Sequence, residues 1–507
     1  MAPTPQAVSP LDLAPVAELT PSSAEDVAAA VRAARAAQPA WRAAGFQARG
    51  EAIKKARVRL VDAKEDILKA LRDEHGKGEF ETLFTELIPA FDLFDYWVGH
   101  AGKILAPELL VLDPMKYPSK RGRIVYEPKG VVAVISPWNY PVNLPIRTII
   151  PALLAGNAVV FKPSEHAVLS GQILDRIFRE SVPPGVFGTV QGDGSVGASL
   201  IAGADHVSFT GSVATGRKVA LQCAERLITC GLELGGKAAA VVLDDADLDR
   251  AVNGILWAKF HNAGQNCSAV ERIYVHESVA EAFTNRLKAA AEKLAVGLDG
   301  SHPMLPLRTA VQRDNVAAQV AEARDRGGEI LLGGSPAGAL GFQPTLVAKL
   351  PADAALLTRE TFGPAVGIVP FKDVAEAISW ANASELGLTA SIWTRDLALA
   401  DRLVADLDVG VVTVNNACFT GAMPFAPWGG RKQSGHGYTS SHLAIRELVH
   451  AKTILIDAER SPHELWWYPY TATKRQIGES LFKLLGGKGG LAEIVSLLGL
   501  LPRRFKD

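Results

Sequence analysis

Short, unbroken apolar runs rich in β-branched residues recur along this chain, with segments of helical spacing between them. Val131-Val132-Ala133-Val134-Ile135 is the clearest, and Ala158-Val159-Val160-Phe161, Thr189-Val190-Gln191 and Val207-Ser208-Phe209-Thr210 repeat it. A strand that is apolar on both faces must be covered on both, which is the situation of a parallel sheet between helices. With a helix expected at 167–180, the pattern reads as an α/β doubly wound domain. A second alternating stretch runs from about 233 to 430, with strands expected at Ala238-Ala239-Ala240-Val241-Val242, Arg272-Ile273-Tyr274-Val275, Val366-Gly367-Ile368-Val369 and Gly410-Val411-Val412-Thr413-Val414. Arg123-Ile124-Val125-Tyr126-Glu127-Pro128 also reads as a strand. Lys452-Thr453-Ile454-Leu455-Ile456 is a late strand that belongs to neither block. Upstream, 22–75 looks helical, opened by Ser23-Ala24-Glu25-Asp26 with its acids early. A second helix over 80–103 carries Phe91, Phe94, Tyr96 and Trp97. These aromatics are expected in the core; the alternative reading is that part of the cluster lines a substrate entrance.

At 507 residues the chain exceeds what one core supports, so two or three domains are expected. The net charge of −1 carries no polyelectrolyte signature and argues against a nucleic-acid partner. Cys223, Cys230, Cys267 and Cys418 are too few for a disulfide scaffold, and none forms a CxxC pair, which excludes a zinc ribbon; no metal site is expected. A reducing compartment fits. The N-terminus has no basic, apolar signal pattern, and no run of about twenty apolar residues occurs, so a cytoplasmic protein is expected.

One cysteine stands in an unusual setting. Phe260-His261-Asn262-Ala263-Gly264-Gln265-Asn266-Cys267 surrounds a thiol with small residues and amides, which leave room for a substrate and supply hydrogen bonds. Acyl or aldehyde chemistry at a thiol needs an oxyanion donor and a base. Asn139, in the proline-bounded loop Ser136-Pro137-Trp138-Asn139-Tyr140-Pro141, offers a rigid amide. Glu233, in Glu233-Leu234-Gly235-Gly236-Lys237, offers a carboxylate that an apolar cleft would turn into a base for water. Phe209-Thr210-Gly211-Ser212-Val213-Ala214-Thr215-Gly216 follows a strand and opens a helix, where backbone N–H groups attract phosphate. It is neither a GxGxxG nor a P-loop. Phe161-Lys162-Pro163-Ser164-Glu165 ends another strand. Lys162 and Glu165 there are suited to ribose hydroxyls, and the acid disfavours a 2′-phosphate, which leans toward NAD over NADP.

These segments together resemble the NAD(P)-dependent aldehyde dehydrogenases. Pro137-Trp138-Asn139, Lys162-Pro163-Ser164-Glu165, Phe209-Thr210-Gly211-Ser212, Glu233-Leu234-Gly235-Gly236-Lys237 and Asn262-Ala263-Gly264-Gln265-Asn266-Cys267 stand in that family's order. Glu360-Thr361-Phe362-Gly363-Pro364 and Trp428-Gly429-Gly430-Arg431-Lys432-Gln433-Ser434-Gly435 complete a set covering roughly 15–457. The resemblance implies that Cys267 attacks the aldehyde, that Asn139 and the Cys267 N–H hold the oxyanion, that hydride passes to a nicotinamide, and that Glu233 activates water to release the acid. It places Lys162 and Glu165 at the adenosine ribose, Trp138 and Ser212 at the pyrophosphate, Glu360 at the nicotinamide ribose and Phe362 beside the nicotinamide. Ser164, Gly211, Gly216 and Leu234 join the cofactor-binding set. It further implies a Rossmann-like cofactor domain (1–122 and 137–232), an α/β catalytic domain (233–435) and a small β oligomerisation element (123–136 and 436–457) that makes homodimers or homotetramers.

Two regions depart from that pattern. Trp428 stands where the family usually has phenylalanine. The preceding loop, 415–427, carries Phe419, Met423 and Phe425 and no charge, which favours an apolar aldehyde, aliphatic or aromatic. A semialdehyde substrate and CoA-acylating chemistry are the alternatives; Glu233 argues against the second. A non-enzymatic scaffold fits poorly with intact Cys267, Glu233 and Asn139. The extension 458–507 combines Leu465-Trp466-Trp467-Tyr468-Pro469-Tyr470 with two short apolar helices expected at 476–485 and 491–501. Its Lys474, Arg475, Lys483, Lys488, Arg503, Arg504 and Lys506 outnumber Glu479, Glu493 and Asp507. That composition suits peripheral membrane contact or a partner-docking arm.

Overall fold

The structure, a computed structural model, describes residues 6–114, 117, 119–297, 304–459 and 462–503. The chain divides into two units, Met1–Ala106 with Tyr126–Ala451 and Pro107–Val125 with Lys452–Asp507.

The first unit holds two large sheets. The six-stranded sheet runs in the order Gly435–His436, Thr229–Glu233, His206–Thr210, Val131–Ile135, Ala158–Lys162, Phe187–Thr189. All pairings are parallel except that of the short Gly435–His436 edge. The seven-stranded sheet runs Glu329–Leu332, Thr345–Ala348, Ala365–Phe371, Val270–His276, Ala238–Val242, Thr389–Trp393, Val411–Val414. It is parallel apart from its first strand.

The continuous apolar strands behave as their composition requires. Val132, Val134, Val159 and Phe161 enter one core with the helices Gly45–Asp62, Ile88–Ile104 and Asn143–Leu154, while Val131, Ala133, Ala158 and Val160 enter another on the opposite face. Ala240, Val242, Ile273 and Val275 likewise point away from Ala239, Val241 and Tyr274. Each fully buried Val, Ile or Phe among them contributes about 1.5–3 kcal/mol of transfer free energy, so both faces of both sheets resist polar substitution.

Some expectations shift. The segment 22–75 is three helices, Ala24–Ala43, Gly45–Asp62 and Lys64–His75; the first begins with a capping box between Ser23 and Asp26, and Gly45 at φ +80° breaks the path after it. The strand expected at 189–191 sits two residues earlier. Val131–Ile135, grouped above with 123–128, lies at the centre of the six-stranded sheet, because its apolar residues need cover on both faces.

In a separate three-stranded sheet, Lys120–Pro128 lies between Val449–Asp457 and Glu108–Leu110. Glu108 faces Ile124 and Leu110 faces Gly122 in antiparallel register. The second unit also holds the helices Ala472–Leu485, capped by Thr471, and Leu491–Leu500, which pack on each other. Arg504, Lys506 and Asp507 lie outside the described residues, as does the Arg503 side chain. Among the described residues, no helix is long and apolar enough to cross a membrane.

Candidate active site

In the six-stranded sheet the chain-order progression reverses between Val131–Ile135 and His206–Thr210. Open α/β sheets bind ligands outside the carboxyl ends of strands at such a switch point. The segments leaving those ends here are Ser136 to Asn139, Gly211-Ser212 and, from the next strand, Glu233 to Gly235. They enclose a chamber of about 260 Å³ whose wall also takes Cys267, Gln312, Asn315, Glu360 and Phe362.

The polar chamber is built on buried ties. Ser212, in the chamber wall, caps the helix Val213–Glu225 by accepting from the Thr215 N–H at 3.3 Å, which leaves other N–H groups of the first turn without an intrahelical partner. Glu360 accepts from the Gly236 N–H at 3.0 Å, and burial raises its carboxyl to about 7. Trp138 and Phe362 meet edge-on at 5.8 Å. Glu271, on the strand Val270–His276, accepts from Lys237 Nζ at 2.7 Å and Lys259 Nζ at 3.4 Å, and from the N–H groups of Thr361 and Phe362. Burial alone would raise Glu271; the two ammonium groups and these bonds bring it down to about 2. Three amides on one face of the helix Ala310–Asp325 finish the clamp. Gln312 donates to the carbonyls of Thr361 and Phe362, Asn315 to Thr361 and Gln319 to Glu360.

Asn139 is buried and donates through Nδ2 to the Gln265 carbonyl at 3.2 Å, while its Oδ1 has no partner. Its own carbonyl accepts from Lys77 Nζ at 2.7 Å and Asn262 Nδ2 at 3.0 Å. Lys77 in turn pairs with Glu86 at 2.6 Å, and Glu86 accepts from the N–H groups of Val142 and Asn143. A fully buried ion pair therefore fixes the loop that aims Asn139.

Cys267 follows a turn in which Asn262 and Ala263 hold φ of 51° and 53°, left-handed values unfavourable for residues with a Cβ. Gly264 continues the turn at φ +72°, where a Cβ would stand 2.4 Å from the Gly363 carbonyl oxygen. On the other side, a Cβ at Gly236 would stand 2.2 Å from the Cys267 carbonyl oxygen, so the Glu233–Lys237 segment passes only because that residue is glycine. Burial, then the carboxyls of Glu233 and Glu360 and the Cys418 thiol, push the Cys267 thiol up to about 12; Arg147 works against them. Glu233 is buried and neither carboxyl oxygen has a hydrogen-bond partner. Burial lifts it well above the ordinary carboxyl value, offset in part by the Arg147 guanidinium and by the Trp428 indole, which sits beyond a well-formed hydrogen bond. A buried carboxyl that lines the chamber and has no protein hydrogen-bond partner can bind a water.

Cys267 also lies in the wall of a second chamber, about 370 Å³, lined by Phe80, Phe84, Tyr140, Leu144, Trp257, Cys418, Phe419 and Trp428. Phe80 and Phe84 stack at 4.4 Å and, with Phe419, are more than half exposed. Arg147 contributes charge to this wall; it donates to Asn143 Oδ1 at 3.0 Å, and burial lowers it to about 10.

The structure brings nine of the expected residues to the polar chamber: Trp138, Asn139, Gly211, Ser212, Glu233, Leu234, Cys267, Glu360 and Phe362. Lys162, Ser164, Glu165 and Gly216 do not line it. Lys162 sits in register with Ile135 at the neighbouring strand end, and Ser164 bonds Glu165 and the His166 N–H in the following loop. Gly216 lets its helix press onto Leu234, 2.5 Å from where a Cβ would be. The entrance aromatics are Phe80 and Phe84, not Phe91, Phe94, Tyr96 or Trp97. Phe94 and Trp97 are fully buried on the opposite, core-facing side of the helix. From the loop 415–427 the wall takes Cys418, Phe419, Gly421 and Ala422, whereas Met423 and Phe425 stand outside it.

The model of the aldehyde dehydrogenase family matches residues 3–454. The chain belongs to the aldehyde dehydrogenase family. It is 37% identical over 493 residues to a 4,4'-diapolycopene aldehyde oxidase of Methylomonas sp, covering 96% of this chain and 92% of the relative. It is 35% identical to the NADP(+) succinate-semialdehyde dehydrogenase GabD of Escherichia coli K12, covering 85% and 90%. Among solved structures, PnpE in complex with nicotinamide adenine dinucleotide superposes with a TM-score of 0.87 at 32% identity, covering 91% of this chain and 96% of that one. This aldehyde dehydrogenase is thus an oxidoreductase acting on aldehydes with NAD(P). The polar chamber fits such a group: a helix N-terminus for an anion, a carboxylate for hydroxyls and an aromatic pair for a flat ring.

Proposed function

We propose that this aldehyde dehydrogenase oxidises an apolar aldehyde, aliphatic or aromatic, to its carboxylic acid with NAD. One observation carries the reading: an aromatic chamber with an exposed aromatic mouth ends at the Cys267 thiol, whose other side faces the polar chamber. The relative named as a diapolycopene aldehyde oxidase supports it.

In this mechanism Cys267 gives up its thiol proton to water and its Sγ adds to the aldehyde carbon. The free N–H of the Asn139 amide, with the Cys267 backbone N–H, stabilises the developing oxyanion. NAD(P), when bound, supplies the hydride acceptor that turns this adduct into a thioester. Glu233 then takes a proton from water, which attacks the thioester, and the acid leaves with Cys267 restored. Trp138, Gly211, Ser212, Leu234, Glu360 and Phe362 hold the cofactor in the chamber. Lys162 and Glu165, at the adjoining strand end with Ser164, hold its adenosine ribose, and the Glu165 carboxylate disfavours a 2′-phosphate.

A series of straight-chain and aromatic aldehydes, each with NAD or NADP, tests the reading. Rising kcat/KM with apolar size and a preference for NAD are expected. Flat chain-length dependence would remove the apolar assignment, and turnover only when CoA is present, with acyl-CoA as the product in place of the free acid, would replace hydrolysis by acyl transfer. Arg147 favours a second reading, an anionic semialdehyde; a higher kcat/KM for succinate semialdehyde than for hexanal would select it.

The exposed edges of the three-stranded sheet suit pairing with a second copy, so a homodimer or homotetramer is expected by sedimentation. In the tail, Trp466, Trp467, Tyr468, Phe482, Leu485, Leu491 and Leu498 are exposed beside Arg475 and Lys483. We assign it peripheral contact with anionic lipid, checked by flotation of full-length protein and of protein ending at 457.

A further inference from the structure

We propose that Cys230 and Cys223 form a second thiol site, in which a hydroperoxide oxidises Cys230 and Cys223 closes a disulfide behind the strand that ends in Glu233. Cys230 lies on Thr229–Glu233, on the same face as Leu232. The helix Val213–Glu225 packs on that face, and its Cys223 belongs to the buried cluster against which Cys230 packs. The paired strand Gly435–His436 sets His436 opposite Leu232, with Nε2 3.7 Å from Cys230 Sγ. Cys223 is fully buried and Cys230 half-buried, an arrangement of an accessible attacking sulfur with a sheltered resolving one.

The groups facing Cys230 come from each element around it. They are Cys223 on the helix, His436 on the paired strand and Glu447, whose carboxylate lies against Gly231 and Gly437; Arg226 acts on Cys223. Cys223, and then His436, lowers the Cys230 thiol, whereas burial pushes the Cys267 thiol up. Thiolate is the reactive form, and Cys230 meets the two conditions for it, partial exposure and an imidazole 3.7 Å away.

The step balances. Cys230 S⁻ attacks the terminal oxygen of ROOH; an S–O bond forms, the O–O bond breaks, and ROH leaves with a proton. Cys223 sulfur then displaces hydroxide from the sulfenic acid; an S–S bond forms, the S–O bond breaks, and the Cys223 proton departs in water. The two thiols lose two electrons and the hydroperoxide gains them.

Cleavage at Arg226 separates the two cysteines, so mass spectrometry of an unreduced tryptic digest reads the site directly. Full-length protein is treated with hydrogen peroxide at increasing dose. A linked 219–226/227–237 species lacking two hydrogens is expected before peptide 260–272, with Cys267, gains oxygen, and dithiothreitol should remove it. Oxidation confined to Cys267, or oxygen retained on Cys230 of wild-type protein with Cys223 untouched, would overturn the proposal. In Cys223→Ser, dimedone should trap the Cys230 sulfenic acid. His436→Gln should slow alkylation of Cys230 by iodoacetamide at neutral pH by about three- to tenfold; an unchanged rate would overturn the role of His436.

Discussion

The two chambers that share Cys267 are made of different material. The polar one is assembled at strand ends and held by buried charge: the Lys237–Glu271–Lys259 cluster and the amides of Gln312, Asn315 and Gln319 leave the Glu360–Phe362 segment no slack. The aromatic one is assembled from helix faces and the loop beyond Val414, with side chains such as Phe80 and Phe419 half in solvent. Rigid geometry is needed where charge develops and a hydride must be aligned; a substrate chain needs only apolar area. The difference teaches that reaction and specificity can vary separately around one sulfur.

Substitutions that break this division should rank by how close they lie to the shared sulfur. Cys267→Ala should lower turnover by about 10⁴-fold or more while NAD binding by calorimetry is kept. Residual turnover near wild type would remove the covalent route. Glu271→Gln leaves Lys237 and Lys259 buried without their counter-charge, a loss of about 3–5 kcal/mol in denaturant unfolding. The cofactor KM should rise more than the aldehyde KM, and equal changes would mean that the clamp is not specific to the polar chamber. Asn139→Ala should cost about 10²–10³ in kcat, the scale of one oxyanion donor, with little change in either KM.

On the aromatic side the effects are smaller and depend on substrate length. Phe84 is half exposed, so Phe84→Ala forfeits roughly half the transfer free energy of a buried phenylalanine, about tenfold in kcat/KM for a long apolar aldehyde. Acetaldehyde, too short to reach it, should be processed unchanged; an equal loss for both would place Phe84 in the fold rather than in the substrate path.

The same division decides how much could be read from the sequence. Strands buried on both faces announce themselves by continuous apolar runs, so Val131–Ile135, Ala158–Lys162 and Ala238–Val242 were legible. Thr229–Glu233, which carries Glu233, and Thr389–Trp393 were not, because threonine, glycine, serine or glutamate interrupts them. Motif residues at strand ends converge because parallel topology sends those ends to one side. The clamp is not legible in the sequence: Lys237 and Glu271 lie 34 positions apart, and the helical spacing of Gln312, Asn315 and Gln319 does not say what their amides face. Nothing in the sequence separates Phe80 and Phe84 from the aromatics further along, since spacing alone does not say which helix face meets the core.

Trp428 offers the finest probe, because it touches both sides of the division. Its ring packs with Cys267, Leu388 and Val411 and lines the aromatic chamber, while its indole N–H faces the Glu233 carboxyl. Trp428→Phe keeps an aromatic wall and removes only the donor, at a packing cost of about 1–2 kcal/mol. The indole favours the ionised carboxyl, so without it the Glu233 carboxyl moves further up. Thioester hydrolysis requires the ionised form, which is lost as pH falls. The acid limb of kcat should therefore move to higher pH, while kcat on the alkaline plateau and the KM for short aldehydes stay near wild type. A pH–rate profile with an unmoved acid limb would show that Trp428 acts on this site through packing alone, and that the boundary between the two chambers is steric rather than electrostatic.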